Sequence, residues 1–337
     1  MARLIDTLLN RRAMIENGLL VGAGAALAPW ARAADQSSLP VIKKKIPSTG
    51  EEIPVMGIGT NAFRGTSYAQ LRDILKRMHE LAGSVIDTAA LYGDSEAVIG
   101  KALAELGIRK QMFIATKFNA EGAVMPGPPP GARPPGGLPP GGLPPMDNIG
   151  GEASFERSLK ALQTDRIDLM QAHFLSSVEP LMPLLQKLKK DGKIRYIGIT
   201  TISVEQHPQL IDYMQKYPID FIQIDYSLGS REAAETVFPV ARDRKIAVMV
   251  AVPLGGRRGS LMSQIAGRQL PSWAADIDVT SWSQFFLKYV ISHPTVTCAI
   301  PGSSQLEHLE DNQMAGRGRI ADAATRKRME VFWDSKA

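Results

Sequence analysis

The feature that most constrains this sequence is the alternation of short apolar runs with helix-length segments. Short apolar strands separated by helices favour parallel pairing, because each connection returns the chain to the same edge of the sheet and the helices cover both faces. Eight such strands are predicted, at residues 55–59, 85–88, 112–116, 167–172, 196–200, 221–225, 247–252 and 296–300. This pattern predicts an α/β fold of the (β/α)8 type, a TIM barrel.

Helices are expected between these strands, at 68–81, 95–106, 155–162, 178–190, 205–216, 232–242 and 283–291. Residues 41–46 and 52–55 flank Ser48-Thr49-Gly50, which predicts a small β-hairpin before the first barrel strand. Segments 304–313 and 323–333 predict closing helices after the last strand. We therefore expect residues 35–337 to form a single barrel domain with an N-terminal β-hairpin and C-terminal closing helices.

The first 34 residues are expected to lie outside that domain. Arg11-Arg12 precedes an uncharged stretch, residues 17–31, and Ala31-Arg32-Ala33 has the form of an A-x-A cleavage site. This pattern is typical of a cleaved twin-arginine (Tat) export signal. The stretch is too short and too weakly apolar to span ~30 Å of hydrocarbon. We expect a periplasmic protein, exported already folded, without a membrane span after cleavage; a retained anchor and a chance arginine pair are the alternatives.

A second irregular segment is the insertion at 121–151, where residues 126–145 contain ten prolines and six glycines. Such a composition cannot bury a core or pair as a strand, so it predicts a solvated loop after the third barrel strand. An inert surface insertion and a docking site for a protein partner both fit this composition.

Charge and cysteine content exclude some functions. The net charge is +5, but four of the 39 basic and two of the 34 acidic residues lie in the first 34 positions, which leaves a near-neutral 35 to 32. This balance argues against nucleic-acid binding. Cys298 is the only cysteine and the five histidines lack ligand spacing, so no metal site is expected.

Polar residues follow three neighbouring strands where each one ends. Asp87 ends the second predicted strand, Tyr92 lies in the loop after it, Lys117 ends the third strand and His173 the fourth. Each has an ordinary structural explanation: a helix cap, a rim aromatic, a solvated strand end or a core histidine. Because barrel enzymes place their catalytic groups at the carboxyl ends of the strands, the four together predict one active site.

These four residue types suit proton transfer to a carbonyl oxygen. A free tyrosine has a pKa near ~10, and an ammonium ~4 Å away in a partly buried site contributes about 4 kcal/mol toward the phenolate, or roughly 3 pKa units. Lys117 would supply that ammonium to Tyr92, and Asp87 would compensate the charge of Lys117. His173 would hold the carbonyl oxygen while a hydride reaches the carbon from a cofactor.

The mature chain resembles the aldo-keto reductases along essentially its whole length. The matching segments are Met56-Gly57-Ile58-Gly59-Thr60, Ile86-Asp87-Thr88-Ala89, Tyr92-Gly93, Thr116-Lys117, Ser158-Leu159, Leu162-Gln163-Thr164-Asp165, Ile167-Asp168-Leu169 to His173, Ile197-Gly198-Ile199, Gln223-Ile224-Asp225-Tyr226, Pro253-Leu254, Ile300-Pro301-Gly302 and Asn312. The Asp, Tyr, Lys and His tetrad of that family corresponds to Asp87, Tyr92, Lys117 and His173.

The resemblance implies a nicotinamide cofactor, NADP with NAD as the alternative, bound without a Rossmann fold. Tyr226 would stack on the nicotinamide ring, Gln223 and the end of the fifth strand would contact its carboxamide, and the last strand with its following helix would hold the adenosine end. The implied cofactor contacts are Gly59, Thr60, Asp87, Thr200, Gln223, Tyr226, Leu254, Gly302, Ser303, Ser304, His308, Asp311 and Asn312. Four residues depart from the family pattern: Thr200-Thr201 replaces a Ser-Asn pair, and Gly302 and His308 replace the cations that contact the 2′-phosphate of NADP.

The function expected from this resemblance is NAD(P)H-dependent reduction of a small aldehyde or ketone to an alcohol, with Tyr92 as the general acid. A protein of the same fold that binds nicotinamide without turnover, as a redox-sensing partner of other proteins, is the alternative. Gly57-Ile58-Gly59-Thr60-Asn61-Ala62 also matches G-x-G-x-x-A, but Asp87 lies too far along and eight strands are too many for a Rossmann dehydrogenase.

Overall fold

The computed structural model describes residues 36–63, 66–121, 150–255, 259–265 and 267–335, with the side chain of Ala62 excepted. The export signal predicted for residues 1–34 and most of the predicted insertion, residues 122–149, lie outside the described residues. Within the described part of the chain, no helix combines the length and apolar character needed to cross a membrane.

Eight parallel strands form one sheet in which neighbours in sequence are neighbours in space. We number them after the two strands of the hairpin: β3 (Ile58–Gly59), β4 (Val85–Asp87), β5 (Phe113–Phe118), β6 (Ile167–Ala172), β7 (Ile194–Thr201), β8 (Phe221–Ile224), β9 (Ala247–Val250) and β10 (Val296–Ala299). The prediction of a (β/α)8 barrel is confirmed. The first strand is shorter than predicted, because Met56 pairs only through an isolated bridge to Ala299.

The sheet closes on itself between its first and last strands. The amide of Gly57 donates to the carbonyl of Ala299 at 2.9 Å, and the amide of Gly59 donates to the carbonyl of Pro301 at 3.0 Å. Gly59 and Gly302 form the bridge nearest the carboxyl ends of the strands. A side chain at Gly59 would place its Cβ 2.8 Å from the carbonyl oxygen of Ile300, so glycine permits this close approach.

Helices follow the strands on the outside of the barrel. They are α1 (Tyr68–Glu80), α2 (Ser95–Leu106), α3 (Gly151–Ala161), α4 (Val178–Lys190), α5 (His207–Lys216), α6 (Glu232–Thr236), α7 (Phe238–Asp243), α8 (Trp282–Ile291), α9 (Leu306–Ala315) and α10 (Ala323–Asp334). The prediction of one helix over 232–242 is wrong. Pro239 lacks an N–H for the carbonyl of Glu235 and its ring would clash there, so the first helix ends at Thr236 and a second begins at Phe238.

The predicted hairpin is present and covers the amino-terminal end of the barrel. Strands β1 (Lys43–Lys45) and β2 (Glu52–Pro54) pair antiparallel. Ile46 and Ile53 join the apolar cluster of the barrel interior. Lys44 ties the hairpin to the barrel by donating to three backbone carbonyls, each at 2.7 Å, those of Ile291, His293 and Val296. Burial lowers the pKa of this amine to about 8.

The barrel interior is filled in layers by alternate residues of each strand. Its lower layers are mainly apolar and aromatic, for example Phe113, Tyr196 and Phe221, whose rings contact one another. The uppermost layer, at the carboxyl ends of the strands, is polar instead: it consists of Asp87, Lys117, Gln171 and Gln223, all buried. This change of layer marks the end of the barrel where the chemistry of the chain is concentrated.

Candidate active site

The centre of the site is a buried ion pair between two neighbouring strands. The Nζ of Lys117 lies 2.6 Å from Oδ2 of Asp87 and donates a second bond, of 2.8 Å, to the carbonyl oxygen of Thr88. Both side chains are almost fully buried, at 2% and 3% exposed. The pairing follows from the register of β4 and β5, which places Asp87 beside Ala115 and Lys117 two residues further along.

Two opposing effects act on the Asp87 carboxyl. Burial raises its pKa, whereas the Lys117 ammonium and the side-chain amides of Gln223 and Gln171 oppose that rise by stabilising the charged form. The Nε2 of Gln223 donates to Oδ2 of Asp87 at 3.2 Å. Oδ1 has no hydrogen-bond partner among the described residues. Asp87 therefore depends on its donors to remain a carboxylate in a dry environment.

Tyr92 and His173 complete the predicted group of four. Tyr92 lies in the turn between β4 and α2, where Gly93 takes a positive φ of 65° that reverses the chain. The Nζ of Lys117 lies 5.2 Å from the centroid of the Tyr92 ring. The rings of Tyr92 and His173 meet edge to face, 5.8 Å apart at 78°. The structure therefore brings Asp87, Tyr92, Lys117 and His173 together at one end of the barrel.

His173 is held as a neutral imidazole. Burial lowers its pKa to about 3, with a further contribution from the charge of Lys117. Its Nδ1 is buried without a hydrogen-bond partner among the described residues. Its ring stacks on Phe174, with centroids 4.7 Å apart. A neutral imidazole can donate one N–H hydrogen bond to a ligand oxygen. It cannot act as a general acid near neutral pH, because it lacks the second proton of the imidazolium form.

We expect the imidazole of His173 to stay neutral throughout the range from about pH 5 to 8, where an ordinary histidine titrates. Below about pH 6.5 the imidazole binds a proton in the unfolded chain but not in the folded protein. The free energy of unfolding therefore decreases as the pH falls below that value. Imidazole nitrogen shifts measured by NMR, assigned with a His173→Gln variant, provide the measurement. A titration midpoint near 6.5 would show that the site is open to water.

The four side chains border a cavity of about 370 Å³ at the carboxyl ends of the strands. Nine residues predicted from the sequence line it: Gly59, Thr60, Asp87, Tyr92, Lys117, His173, Thr200, Gln223 and Gly302. Nine others were not predicted: Asn61, Phe174, Thr201, Ile202, Ser203, Gln206, Ala251, Val252 and Ile300. The second group supplies most of the apolar wall, and no chemical signal separates aliphatic residues of this kind from ordinary core residues.

Tyr226 is not where the sequence placed it. Its ring is fully buried, stacks on Tyr289 with centroids 5.8 Å apart and meets Phe238 edge to face. Its hydroxyl accepts a 2.7 Å bond from Arg326 of α10. The ring packs under the last helix instead of bordering the cavity, so the predicted stacking on a nicotinamide ring is not available in this arrangement. The apolar wall next to the tetrad is formed by residues such as Val252 instead.

The remaining predicted cofactor contacts lie beyond this cavity. Asp311 and Asn312 of α9 accept hydrogen bonds of 2.7 Å from Ser281 and Ser283, at the start of α8, so both side chains connect two helices. Leu254 packs against the core. The other three are Ser303, which is buried before α9, Ser304, whose carbonyl accepts from Gln70, and His308, which is exposed on the first turn of α9.

The residues present fit a planar amide-bearing ring beside the tetrad. Gly59 and Gly302 form a side-chain-free edge of the cavity, and a Cβ at Gly302 would meet nothing closer than 3.8 Å. Thr200 and Thr201 line the neighbouring wall, where their hydroxyls donate to the carbonyl of His173 and, at 2.6 Å, to Gln206. The Thr201 oxygen already accepts a 3.1 Å bond from the amide of Ser203, whereas the Thr200 oxygen can accept one from a ligand amide. Among the described residues, no group of side chains could hold a metal ion.

Comparison with known proteins points to one family. The model of the aldo/keto reductase family matches residues 55–325. The aldo-keto reductase YhdN of Bacillus subtilis (strain 168) is 33% identical over 215 residues, which cover 61% of this chain and 60% of that protein. The methylglyoxal reductase YeaE of Escherichia coli (strain K12) is 28% identical over 284 residues, which cover 80% of this chain and 88% of that protein.

A solved structure shares the fold. The aldo/keto reductase from Klebsiella pneumoniae, determined in complex with NADP and acetate, superposes with a TM-score of 0.65 at 23% sequence identity and covers 87% of this chain and 96% of its own.

Proposed function

Because this chain belongs to the aldo/keto reductase family, we propose that it is a nicotinamide-dependent oxidoreductase that reduces the carbonyl group of a small aldehyde or ketone to an alcohol. The observation that carries the proposal is the arrangement of Tyr92, Lys117 and His173 around one cavity, with Lys117 paired to Asp87 at 2.6 Å. A buried ion pair adds little net stability, because the cost of removing both charges from water offsets their attraction. Its position beside a cavity therefore supports a chemical role.

Each side chain has a defined role in the proposed reaction. Tyr92 gives its phenolic proton to the carbonyl oxygen, and the ammonium of Lys117 stabilises the phenolate that is left. Asp87 compensates the charge of Lys117, which would otherwise be buried alone. His173, neutral, donates an N–H bond to the same carbonyl oxygen and orients it. A bound nicotinamide supplies the hydride that the carbonyl carbon receives.

NADP is the cofactor that we propose, with NAD as the alternative. The Klebsiella pneumoniae structure of the same fold contains NADP, which supports the choice. Gly59, Thr60, Thr200 and Gly302 would hold the nicotinamide end, because they border the cavity beside the tetrad. Gly302 and His308 offer less positive charge to a 2′-phosphate than the usual cations, so a comparison of NADPH with NADH tests this part of the proposal directly.

The experiment measures the carbonyl-dependent oxidation of NADPH and NADH by the full chain. The panel of aldehydes and ketones includes methylglyoxal, the compound in the name of the relative YeaE. Turnover with at least one carbonyl supports the proposal. Tight nicotinamide binding without turnover across the panel would replace it with the alternative, a non-turnover redox-sensing protein.

We also propose that residues 1–34 direct export by the twin-arginine route. The pattern of Arg11-Arg12 before an uncharged stretch supports this. Replacing both arginines by lysine is expected to keep the chain in the cytoplasm, as measured by immunoblots of periplasmic and cytoplasmic fractions. The matched control is Arg3→Lys, which leaves the pair intact. Equal periplasmic amounts of the double variant and the control would rule the signal out.

A further inference from the structure

The proton-transfer scheme leaves one buried polar side chain of the top layer unused, that of Gln171. It lies on β6 between Leu169 and His173, and the alternation of the strand points all three into the barrel. Leu169 belongs to the apolar cluster of the interior. Gln171 is fully buried, at 0% exposed. An apolar residue would fill this position without burying an amide, so the amide needs an explanation.

Its hydrogen bonds have a fixed direction. An ionised carboxylate only accepts, so the group that Gln223 turns toward Asp87 has to be its NH2, which donates to Oδ2 at 3.2 Å. The carbonyl oxygen of the Gln223 amide then faces Gln171, whose NH2 donates to it at 3.1 Å. The remaining oxygen of Gln171 has no partner among the described residues. The relay therefore runs from Gln171 to Gln223 to Asp87.

The neighbouring strand leaves room for this side chain. Gly198 of β7 is the register partner of Gln171. A Cβ at Gly198 would lie 2.8 Å from Cγ and 3.1 Å from Oε1 of Gln171. The third close atom is Cδ1 of Leu169, also at 3.1 Å, so alanine at this position would displace the Gln171 side chain and press on Leu169. Two positions on adjacent strands are therefore matched to keep one amide in place.

We propose that Gln171 is a positioning residue of the active site, which holds the Gln223 amide so that its NH2 group faces Asp87. The inference rests on the proposed function, because the reason to keep Asp87 in place is its pairing with Lys117. Without Gln171, the Gln223 amide can rotate, and Asp87 then loses a donor and draws Lys117 more strongly. The ammonium is then less available to a phenolate at Tyr92.

The titratable groups that face this layer come from several elements. Asp87, Tyr92, Lys117 and His173 surround it directly. Cys298 of β10 lies below it and interacts with the charge of Asp87. One further carboxyl, of a residue on α2, lies behind the strand of Lys117: Glu96, which accepts bonds from Thr116 and Ser158 at 2.6 and 3.1 Å. None of these groups replaces the amide donor that Gln223 gives to Asp87.

The test uses Gln171→Met, which keeps the length of the side chain and removes its donor. We expect kcat/KM at neutral pH to fall about tenfold, the usual effect of one buried hydrogen bond. The ionisation of Tyr92, followed by the near-ultraviolet difference spectrum of each protein against its Tyr92→Phe counterpart, should move up by about 0.5 pH unit or more. Gly198→Ala, which displaces the same amide, should change both quantities in the same direction.

Met170→Leu is the matched control, because Met170 is the adjacent residue of β6 and packs in the cluster outside the barrel. The difference spectrum needs no turnover, so it tests the positioning role even if no carbonyl is reduced. The proposal would be overturned if both variants matched the control in the Tyr92 titration and in the pH profile, and only their melting temperature were lowered. That result would show that Gln171 serves only to fill the interior of the barrel. Gly198→Ala carries the test if Gln171→Met fails to fold.

Discussion

Replacing Tyr92 by phenylalanine should lower kcat for carbonyl reduction by about 10²- to 10⁴-fold, the range that a positioned general acid contributes. The substitution removes one oxygen atom and keeps the ring that meets His173 at 5.8 Å. The cavity should therefore keep its shape, and the nicotinamide should bind with nearly unchanged affinity. NADPH titration followed by protein fluorescence measures binding, and NADPH oxidation with the best carbonyl measures turnover.

The control for this prediction is Tyr213→Phe, at a tyrosine of α5 whose ring contacts Tyr217, away from the cavity. It should keep the wild-type kcat. A Tyr92→Phe variant that turns over within a few fold of wild type would remove Tyr92 from the role of general acid. Loss of nicotinamide binding in the same variant would instead place the phenol in the cofactor contact.

The second large effect concerns stability. Lys117→Met should lower the free energy of unfolding by about 3–5 kcal/mol, because it leaves the buried carboxylate of Asp87 without its counter-charge. Asp87→Asn should have a cost of the same kind, since it leaves the ammonium buried alone. The double variant should cost less than the sum of the two single ones, because each substitution relieves the unpaired charge that the other creates. Urea unfolding of the four proteins gives the cycle.

An exposed ion pair in the same chain provides the comparison. The Nζ of Lys187 on α4 lies 3.0 Å from Oδ2 of Asp191, the residue that follows the helix, and the two side chains are 61% and 44% exposed, so that water screens the pair and it contributes little to stability. Lys187→Met should therefore leave the free energy of unfolding nearly unchanged. If Lys117→Met proved as mild as this control, Asp87 would either have taken up a proton or be in contact with water in the folded protein.

The sequence predicted the barrel and its rim residues for the same physical reason. The carboxyl end of a parallel strand is identifiable from its apolar run, so a polar residue such as Asp87 or Lys117 at that point has a known location. The bounds of two helices were predicted as well: α2 and α4 begin and end at the predicted residues, although Pro183 lies inside α4. Pro239 divides a predicted helix because it lacks a backbone N–H. The spacing of apolar residues, from which the helix was predicted, does not reveal this break.

The parts that could not be predicted depend on three-dimensional packing. Tyr226 lies just after a strand, in a place similar to that of Asp87. An aromatic ring at such a position can point either into the cavity or under a neighbouring helix. Here it points under α10, where Arg326 donates a hydrogen bond to its hydroxyl. Val252 and Ile202 line the cavity although their residue types are those of any core. Gln171 is recognisable in the sequence as an amide within a mostly apolar strand, but its partner Gln223 is on a strand two positions away in the sheet, which the sequence pattern does not reveal.

The closure of the barrel through Gly59 and Gly302 also constrains the order of folding. The two residues that edge the cavity are separated by most of the chain, and such distant contacts form late because a long loop has to close first. The cavity is incomplete until the last strand has docked against the first. Ligand binding at this edge would therefore report that the whole barrel has formed, and a chain interrupted before β10 could contain the complete tetrad and still have no site.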